Sequence, residues 1–400
     1  MLNKQAVIEA PTKQDLLEEY QVGDFFMETP KRALLGKGFF MEVPADEEHD
    51  NQMEGLSQRI SFILKKAKEQ GHSRPVVIGA VPFDHERKAS LYIPKNVQFG
   101  PSFQKEERKA EMSTPIKGYH LTPVPEPEEY KKGVAAGIEK IQSGQLDKIV
   151  LSRALELNTN EPIHIPGLLG NLARQNKYGY TFAAGVHSGQ QLSTLIGASP
   201  ELLVSKEGMK LTANPLAGSR PRSTDPIEDQ RRAKELLSSA KDLHEHAVVV
   251  KAVEKALRPF CKTIKVPEMP SLITTEAMWH LSTVIEGELL DSETSSLDLA
   301  VALHPTPAVC GTPTETARQA IAEIEPFDRS FFTGMIGWCD DKGDGEWVVT
   351  IRCAEVQESS LRLFAGAGVV GASKPEEELA ETGAKFQTML RAMGMDTQEI

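Results

Sequence analysis

The feature that most constrains this chain is a nearly unbroken β pattern close to its C-terminal end. "FFTGMIGWCD" (331–340), "GEWVVTIRCAEV" (345–356) and "LRLFAGAGVV" (361–370) follow one another with only short polar turns such as "DDKGDG" between them. Aromatic and β-branched residues bounded by Gly and Asp clusters predict consecutive antiparallel strands. A sheet of this kind must cover its apolar face, so helices or a second sheet are required.

The rest of the chain supplies both. "PVVIGAVPF" (75–83), "KIVLSRALEL" (148–157), "YTFAAGV" (180–186) and "STLIGASPELLV" (193–204) read as strands. Apolar residues at helical spacing predict helices over 51–70, 129–143, 163–176 and 376–393, with one or two more over 227–260. The stretch 94–129 is poor in aliphatics and rich in Pro, Lys and Glu, which predicts a long loop, a crossover or a boundary. Strands in series with inserted helices give an α+β fold (α/β in the broad sense) with mainly antiparallel sheet.

Charge and cysteine content exclude several function classes. The formal net charge of −12 argues against a nucleic-acid or anionic-membrane partner, which would want a basic surface. It leaves anionic small molecules open, because a local pocket can oppose the global sign. Cys261, Cys310, Cys339 and Cys353 form no C-x-x-C pair. Unpaired thiols in a chain this long suit a reducing compartment, so a cytoplasmic location is expected. The first residues, "MLNKQAVIEAPTKQDLLEEY", contain no apolar targeting core, and no apolar run is long enough for a membrane span.

Two helices carry paired acids. In "SAKDLHEHAVVVKAVEKAL" (239–257), Asp242 and Glu245 are three apart and share a face with Val249, Ala252, Val253 and Ala256. They therefore lie in line with the buried stripe. His244 and His246 point to different sides, so the zinc-like H-E-H is misleading. In "PEEELAETGAKFQTMLRAMG" (375–394), Glu378 and Glu381 repeat the spacing and flank a stripe of Leu379, Thr382, Phe386, Leu390 and Met393. Two carboxylate pairs can hold a hard divalent cation such as Mg²⁺; solvated helix acids give the same spacing.

Gly366, Gly368 and Gly371 fit G-x-G-x-x-G after a strand, but no helix opens at the second glycine. A dinucleotide site is therefore not expected. What remains is glycine letting backbone N–H groups come close to an anion.

With these pieces placed, residues 125–395 resemble the chorismate-utilising enzymes. The resemblance rests on segments in a fixed order: "KIVLSRAL" (148–155), "GASPELLV" (197–204), "PLAGSRPR" (215–222), "AKDLHEH" (240–246), "MWHLST" (278–283), "LHPTPAVCG" (303–311), "EPFDRSFFTGMIGW" (325–338), "WVVTIRCA" (347–354), "LFAGAGVV" (363–370) and "ETGAK" (381–385). Residues 1–120 correspond to the variable N-terminal part of the same fold. The fold implied is one large domain like anthranilate synthase component I: two packed, mainly antiparallel sheets flanked by helices.

The chemistry implied is hydroxyl exchange on chorismate, giving isochorismate, most like the siderophore-associated members that feed 2,3-dihydroxybenzoate synthesis. Lys148 would be the base; it opens an apolar strand, where its amine can be withdrawn from water. Glu201 would be the acid, with burial at a strand bend raising its pKa. Mg²⁺ would be held mainly by Glu245 and Glu381, with Asp242 and Glu378 acting directly or through water. His280 would contact the ring near C1–C2. Arg352 and Lys385 would take the enolpyruvyl carboxylate, aided by the Gly366 backbone, and Gly218 and Ser219 would touch substrate through their backbone. Arg220 and Arg222 read equally well as surface residues.

Within the family, a lysine at 148 points to water rather than ammonia as nucleophile, so no glutamine amidotransferase partner is expected. Phe332 stands where salicylate-forming, pyruvate-releasing members often have tyrosine. It favours stopping at isochorismate, with salicylate synthase as the alternative. A monomer is expected.

Overall fold

The computed structural model describes residues 13–102, 118–176, 178–188 and 191–395. Among these, the strands form a ten-stranded sheet, a nine-stranded sheet and a three-stranded sheet, every pairing antiparallel. This is the α+β fold expected. The "DDKGDG" turn joins Met335–Asp340 to Gly345–Val349 as a hairpin, with Gly343 at φ 76° taking the left-handed conformation the turn needs.

The two large sheets face each other. Phe25, Met27, Phe182 and Phe364 from the ten-stranded sheet meet Ile78, Ile336, Trp338 and Val348 from the nine-stranded one in a single apolar cluster. Helices cover the outer faces. Ile165–Gln175 and Pro375–Ala392 pack on the first sheet through Leu169, Leu172, Phe386 and Leu390. Leu56–Glu69, Ala240–Leu257 and Ser296–Leu303 pack on the second through Ile60, Val249, Val253 and Leu297. The Lys148–Thr159 strand sits inside the first sheet and is buried along most of its length, which explains its continuous apolar run.

Two sequence expectations change and a third is settled between its alternatives. Residues 94–129 are not a domain boundary: Asn96–Pro101 and Tyr119–Val124 both join the ten-stranded sheet. Within that stretch residues 103–117 lie outside the described residues, as do residues 1–12 of the N-terminal segment. The helical stretch after 226 is two helices, Pro226–Ser238 and Ala240–Leu257, broken at Ser239. Ser239 caps the second by accepting from the Asp242 N–H at 3.3 Å.

The second change matters most for the site. "GEWVVTIRCAEV" is two strands in different sheets. Gly345–Val349 belongs to the nine-stranded sheet and Cys353–Gln357 to the ten-stranded one. "STLIGASPELLV" crosses in the same way, from Gln191–Ser199 to Leu202–Glu207. The two crossovers are bonded side by side: Ala198 N–H donates to the Arg352 carbonyl at 3.0 Å, and Val349 N–H to the Glu201 carbonyl at 3.2 Å.

Candidate active site

The paired crossovers place Glu201 and Arg352 at the junction of the two sheets. A cavity with about 600 Å³ of empty space opens there. Nine of the twelve residues singled out from sequence line it: Glu201, Gly218, Ser219, Glu245, His280, Arg352, Gly366, Glu381 and Lys385. The three-stranded sheet contributes Ser219 opposite His280 in register. Lys148, Asp242 and Glu378 stand directly behind the lining.

Glu201 is 3% exposed. Burial pushes its carboxyl up to about 7, against the pull of the Leu216 N–H and of Lys148, Arg352 and Lys385. The upward shift expected from the sequence is therefore present.

Arg352 is 5% exposed and takes φ 52°, a left-handed backbone unusual for a side-chain-bearing residue. Its Nε and Nη2 have no hydrogen-bond partner. Burial draws its pKa down to about 10, so it stays charged at neutral pH. His280 Nε2 is also buried without a partner. Burial first, then Arg352 and Lys385, holds that imidazole well below its usual range, so it is neutral. An unpaired buried guanidinium and an unpaired imidazole nitrogen in one cavity are polar groups that await a ligand.

Asp242, Glu245 and Glu378 are buried and Glu381 is half-buried, and each has a cationic neighbour. Lys148 Nζ lies 2.9 Å from Glu245 Oε1 with the amine 1% exposed. Lys385 Nζ lies 2.6 Å from Glu381 Oε1 and donates to the Gly366 carbonyl at 2.7 Å. Lys241 Nζ lies 2.8 Å from Glu378 Oε1. Arg220 donates to both oxygens of Asp242, at 2.5 and 3.2 Å. Arg220 is thereby a site-supporting residue rather than a surface one, while Arg222 clasps Asp229 beside Trp279.

Glu378 does not flank the stripe, as its spacing suggested; it is 1% exposed. Burial, then repulsion from Glu381, raises its pKa to about 7. For Glu381, burial opposes ionisation, but Lys385 outweighs it and the net shift is downward.

Among the described residues, no three His, Cys, Asp or Glu side chains converge as a ready metal cage. The donor set nevertheless fits a hard cation. Glu245 and Glu381 both line the cavity with oxygen ligands. The backbone leaves room for one of them: a methyl group on Gly368 would lie 2.2 Å from Glu245 Oε1.

This revises the reading of the glycine run. Gly366 and Gly368 are ordinary ladder positions opposite Ser152 and Val150, and their missing Cβ atoms admit the Ser152 hydroxyl and the Glu245 carboxylate. Sequence reading also missed His246. It is buried; its Nδ1–H donates to the Ala217 carbonyl at 3.2 Å and its Nε2 bonds Thr283 Oγ1 at 2.7 Å, which fixes the segment that presents Gly218. Its position two residues from His244 hid that structural role.

The family described as chorismate binding enzyme matches over residues 96–394. This chain belongs to that family. It is 61% identical over 397 residues to isochorismate synthase DhbC of Bacillus subtilis (strain 168), covering 98% of this chain and 99% of that one. It is 43% identical over 406 residues to the vibriobactin-specific isochorismate synthase of Vibrio cholerae serotype O1, covering 100% and 99%. The crystal structure of DhbC from Bacillus anthracis matches with a TM-score of 0.90 at 55% identity, covering 96% of this chain and 99% of that chain. Anthranilate synthase component I from Streptococcus pneumoniae TIGR4 shares the fold, at a TM-score of 0.70 and 20% identity over 90% and 92%. No helix among the described residues is long and apolar enough to cross a membrane, and all four cysteines are unpaired.

Proposed function

We propose that the protein is an isochorismate synthase that moves the hydroxyl of chorismate from ring C4 to C2 and feeds 2,3-dihydroxybenzoate siderophore synthesis. The observation that carries this reading is one cavity holding a buried acid near neutrality, a buried amine behind it and a guanidinium with unused donors. The near full-length likeness to isochorismate synthases supports the same reaction.

Lys148 accepts a proton from the water that attacks C2. The ring double bonds shift, and Glu201 donates a proton to the C4 hydroxyl, which leaves as water. One water enters and one leaves, so the net change is an isomerisation. A carboxyl at about 7 is suited to the acid role, because it keeps its proton near neutral pH yet gives it up readily. Arg352 and Lys385 take the enolpyruvyl carboxylate, for which the guanidinium offers a planar pair of donors. Neutral His280 contacts the ring. Gly218 and Ser219 close over the substrate through their backbone.

Glu245 and Glu381 would hold Mg²⁺, with Asp242 and Glu378 behind them; when bound it would neutralise the ring carboxylate of the substrate. Phe332, stacked on Phe364 with ring centroids 5.0 Å apart, brings no hydroxyl to the cavity wall. That favours stopping at isochorismate over salicylate formation.

The test is incubation of the purified protein with chorismate, with and without Mg²⁺, and chromatographic identification of products. Mg²⁺-dependent isochorismate without pyruvate is the expected result. Salicylate with equimolar pyruvate would move the protein to the lyase reaction, and no turnover would remove the proposal.

A further inference from the structure

The strand that bears Lys148 has a gap in one of its edges. On one side it is bonded continuously to Ser360–Val369, from Ile149 to Asn158. On the other, Gly311–Thr312 pairs with it only at 148–149, and Tyr119–Val124 only at 154–159. Residues 150–153 face no strand on that side. Unpaired backbone groups buried in a sheet are costly.

One backbone carbonyl and two side chains fill the gap: the Val150 N–H donates to the Cys310 carbonyl at 2.8 Å, and Glu325 and Arg329 supply the rest. Ser152 N–H donates to Glu325 Oε1 at 2.7 Å, and the Val150 carbonyl accepts from Arg329 Nη2 at 2.8 Å. Arg329 also donates to Glu325 through Nε at 2.8 Å and Nη2 at 2.6 Å, to the Val309 carbonyl at 2.9 Å, and to Thr333 Oγ1 at 3.3 Å. Those are all five N–H groups of a guanidinium. Glu325 is placed for this by capping the C-terminal end of Thr314–Ile324, and Arg329 lies one helical turn's worth of residues further on, over the Phe83 ring at 4.6 Å.

The anchors are not scattered. Val150, Val309 and Thr333 all line the active-site cavity, and they come from three separate segments. We propose that Arg329, held by Glu325, is a positioning residue for the reaction: the pair replaces a missing stretch of strand and sets the cavity wall beside Lys148. This rests on the isochorismate synthase reading for its assay.

A buried ion pair is a poor device for stability alone. Replacing both partners by apolar residues of similar size is often neutral or stabilising. That gives a discriminating variant, Glu325→Leu with Arg329→Met. A merely structural pair predicts that this double variant, once folded, works normally.

The proposal predicts the opposite. The double variant melts lower than the wild type, because the Ser152 N–H and the Val150 and Val309 carbonyls lose their partners. At a temperature where it is fully folded, kcat still falls about a hundredfold, the scale of a misplacement of about 1 Å. KM for chorismate changes by less than about threefold, because the carboxylate-binding groups are untouched. Amide hydrogen exchange quickens at 149–153 and 308–311 and nowhere else. A kcat within about threefold of wild type in the folded variant overturns the proposal, as does loss of activity with exchange raised throughout. Should the double variant not fold, Arg329→Lys keeps the charge but lacks the fork of donors, and the same criteria apply to it. If wild-type protein turns over no chorismate, the activity reading fails separately. The exchange pattern then decides alone whether the pair holds this wall.

Discussion

Two buried arginines, Arg352 lining the cavity and Arg329 behind its wall, are treated in opposite ways. Arg329 uses every donor on protein acceptors, including both oxygens of a carboxylate. Arg352, about as deeply buried, leaves Nε and Nη2 unpartnered and sits on a strained backbone. The first charge is compensated inside the fold and serves to hold segments together. The second feels Glu381 and Glu201 only through their charge and keeps two donors without a hydrogen-bond partner where the chain crosses between sheets, next to an equally deprived His280. The difference separates a wall from a receptor: a cation that lines the cavity with donors the fold leaves free is one that an anionic substrate can satisfy.

The contrast can be broken from either side. Arg329→Met alone leaves Glu325 as an unpaired buried charge, and a loss of about 3–5 kcal/mol is expected in urea unfolding. Arg352→Met removes donors that have no protein partner, so the same measurement should show stability unchanged or raised. Equal losses for the two would erase the distinction.

On the receptive side, Glu201→Gln keeps the shape of the side chain but cannot donate as an acid. A kcat loss of about a hundred- to ten-thousand-fold with an intact fold is expected from steady-state kinetics.

The pH dependence follows from the same residue. Burial raises the Glu201 pKa to about 7, and only the protonated form can donate. The acid contribution of Glu201 is therefore full below that value and declines as pH rises through it, about tenfold per unit well above it, which gives activity an alkaline limb. An alkaline limb that persists in Glu201→Gln residual activity would assign the titration elsewhere.

The smallest effect concerns the acids proposed to hold Mg²⁺. Gly368→Ala would drive a methyl group into the Glu245 carboxylate. Weakening of Mg²⁺ binding by roughly tenfold is expected in calorimetry, the scale of disturbing a ligand's support.

Much of this site was legible in the sequence because it is written in local spacing. Acids three apart on two helices marked Asp242, Glu245, Glu378 and Glu381; the burial of Asp242 and Glu245 followed from the stripe they joined, whereas that of Glu378 did not. The bend at "ASPELL" marked Glu201. The crossover at Arg352 was not legible, since two-residue alternation continues through "GEWVVTIRCAEV" while the strand changes sheets. Asn96–Pro101 and Tyr119–Val124 escaped notice because neither contains a fully buried residue, so no alternation appears. The cationic partners of the acids were hidden for another reason. Lys241 and Glu378 are 137 residues apart, and nothing in either local pattern points to the other. Arg329 was visible only as part of "EPFDRSFF", with no sign that its guanidinium would complete a sheet edge.

The most direct test of the account is chorismate binding to Arg352→Met, measured by calorimetry in a Lys148→Ala background that prevents turnover. Loss of two charge-assisted hydrogen bonds predicts affinity weaker by about a hundredfold or more, with the melting temperature retained. Binding as tight as in the Lys148→Ala protein alone would contradict it, because the unsatisfied arginine would then not be the group that receives the substrate.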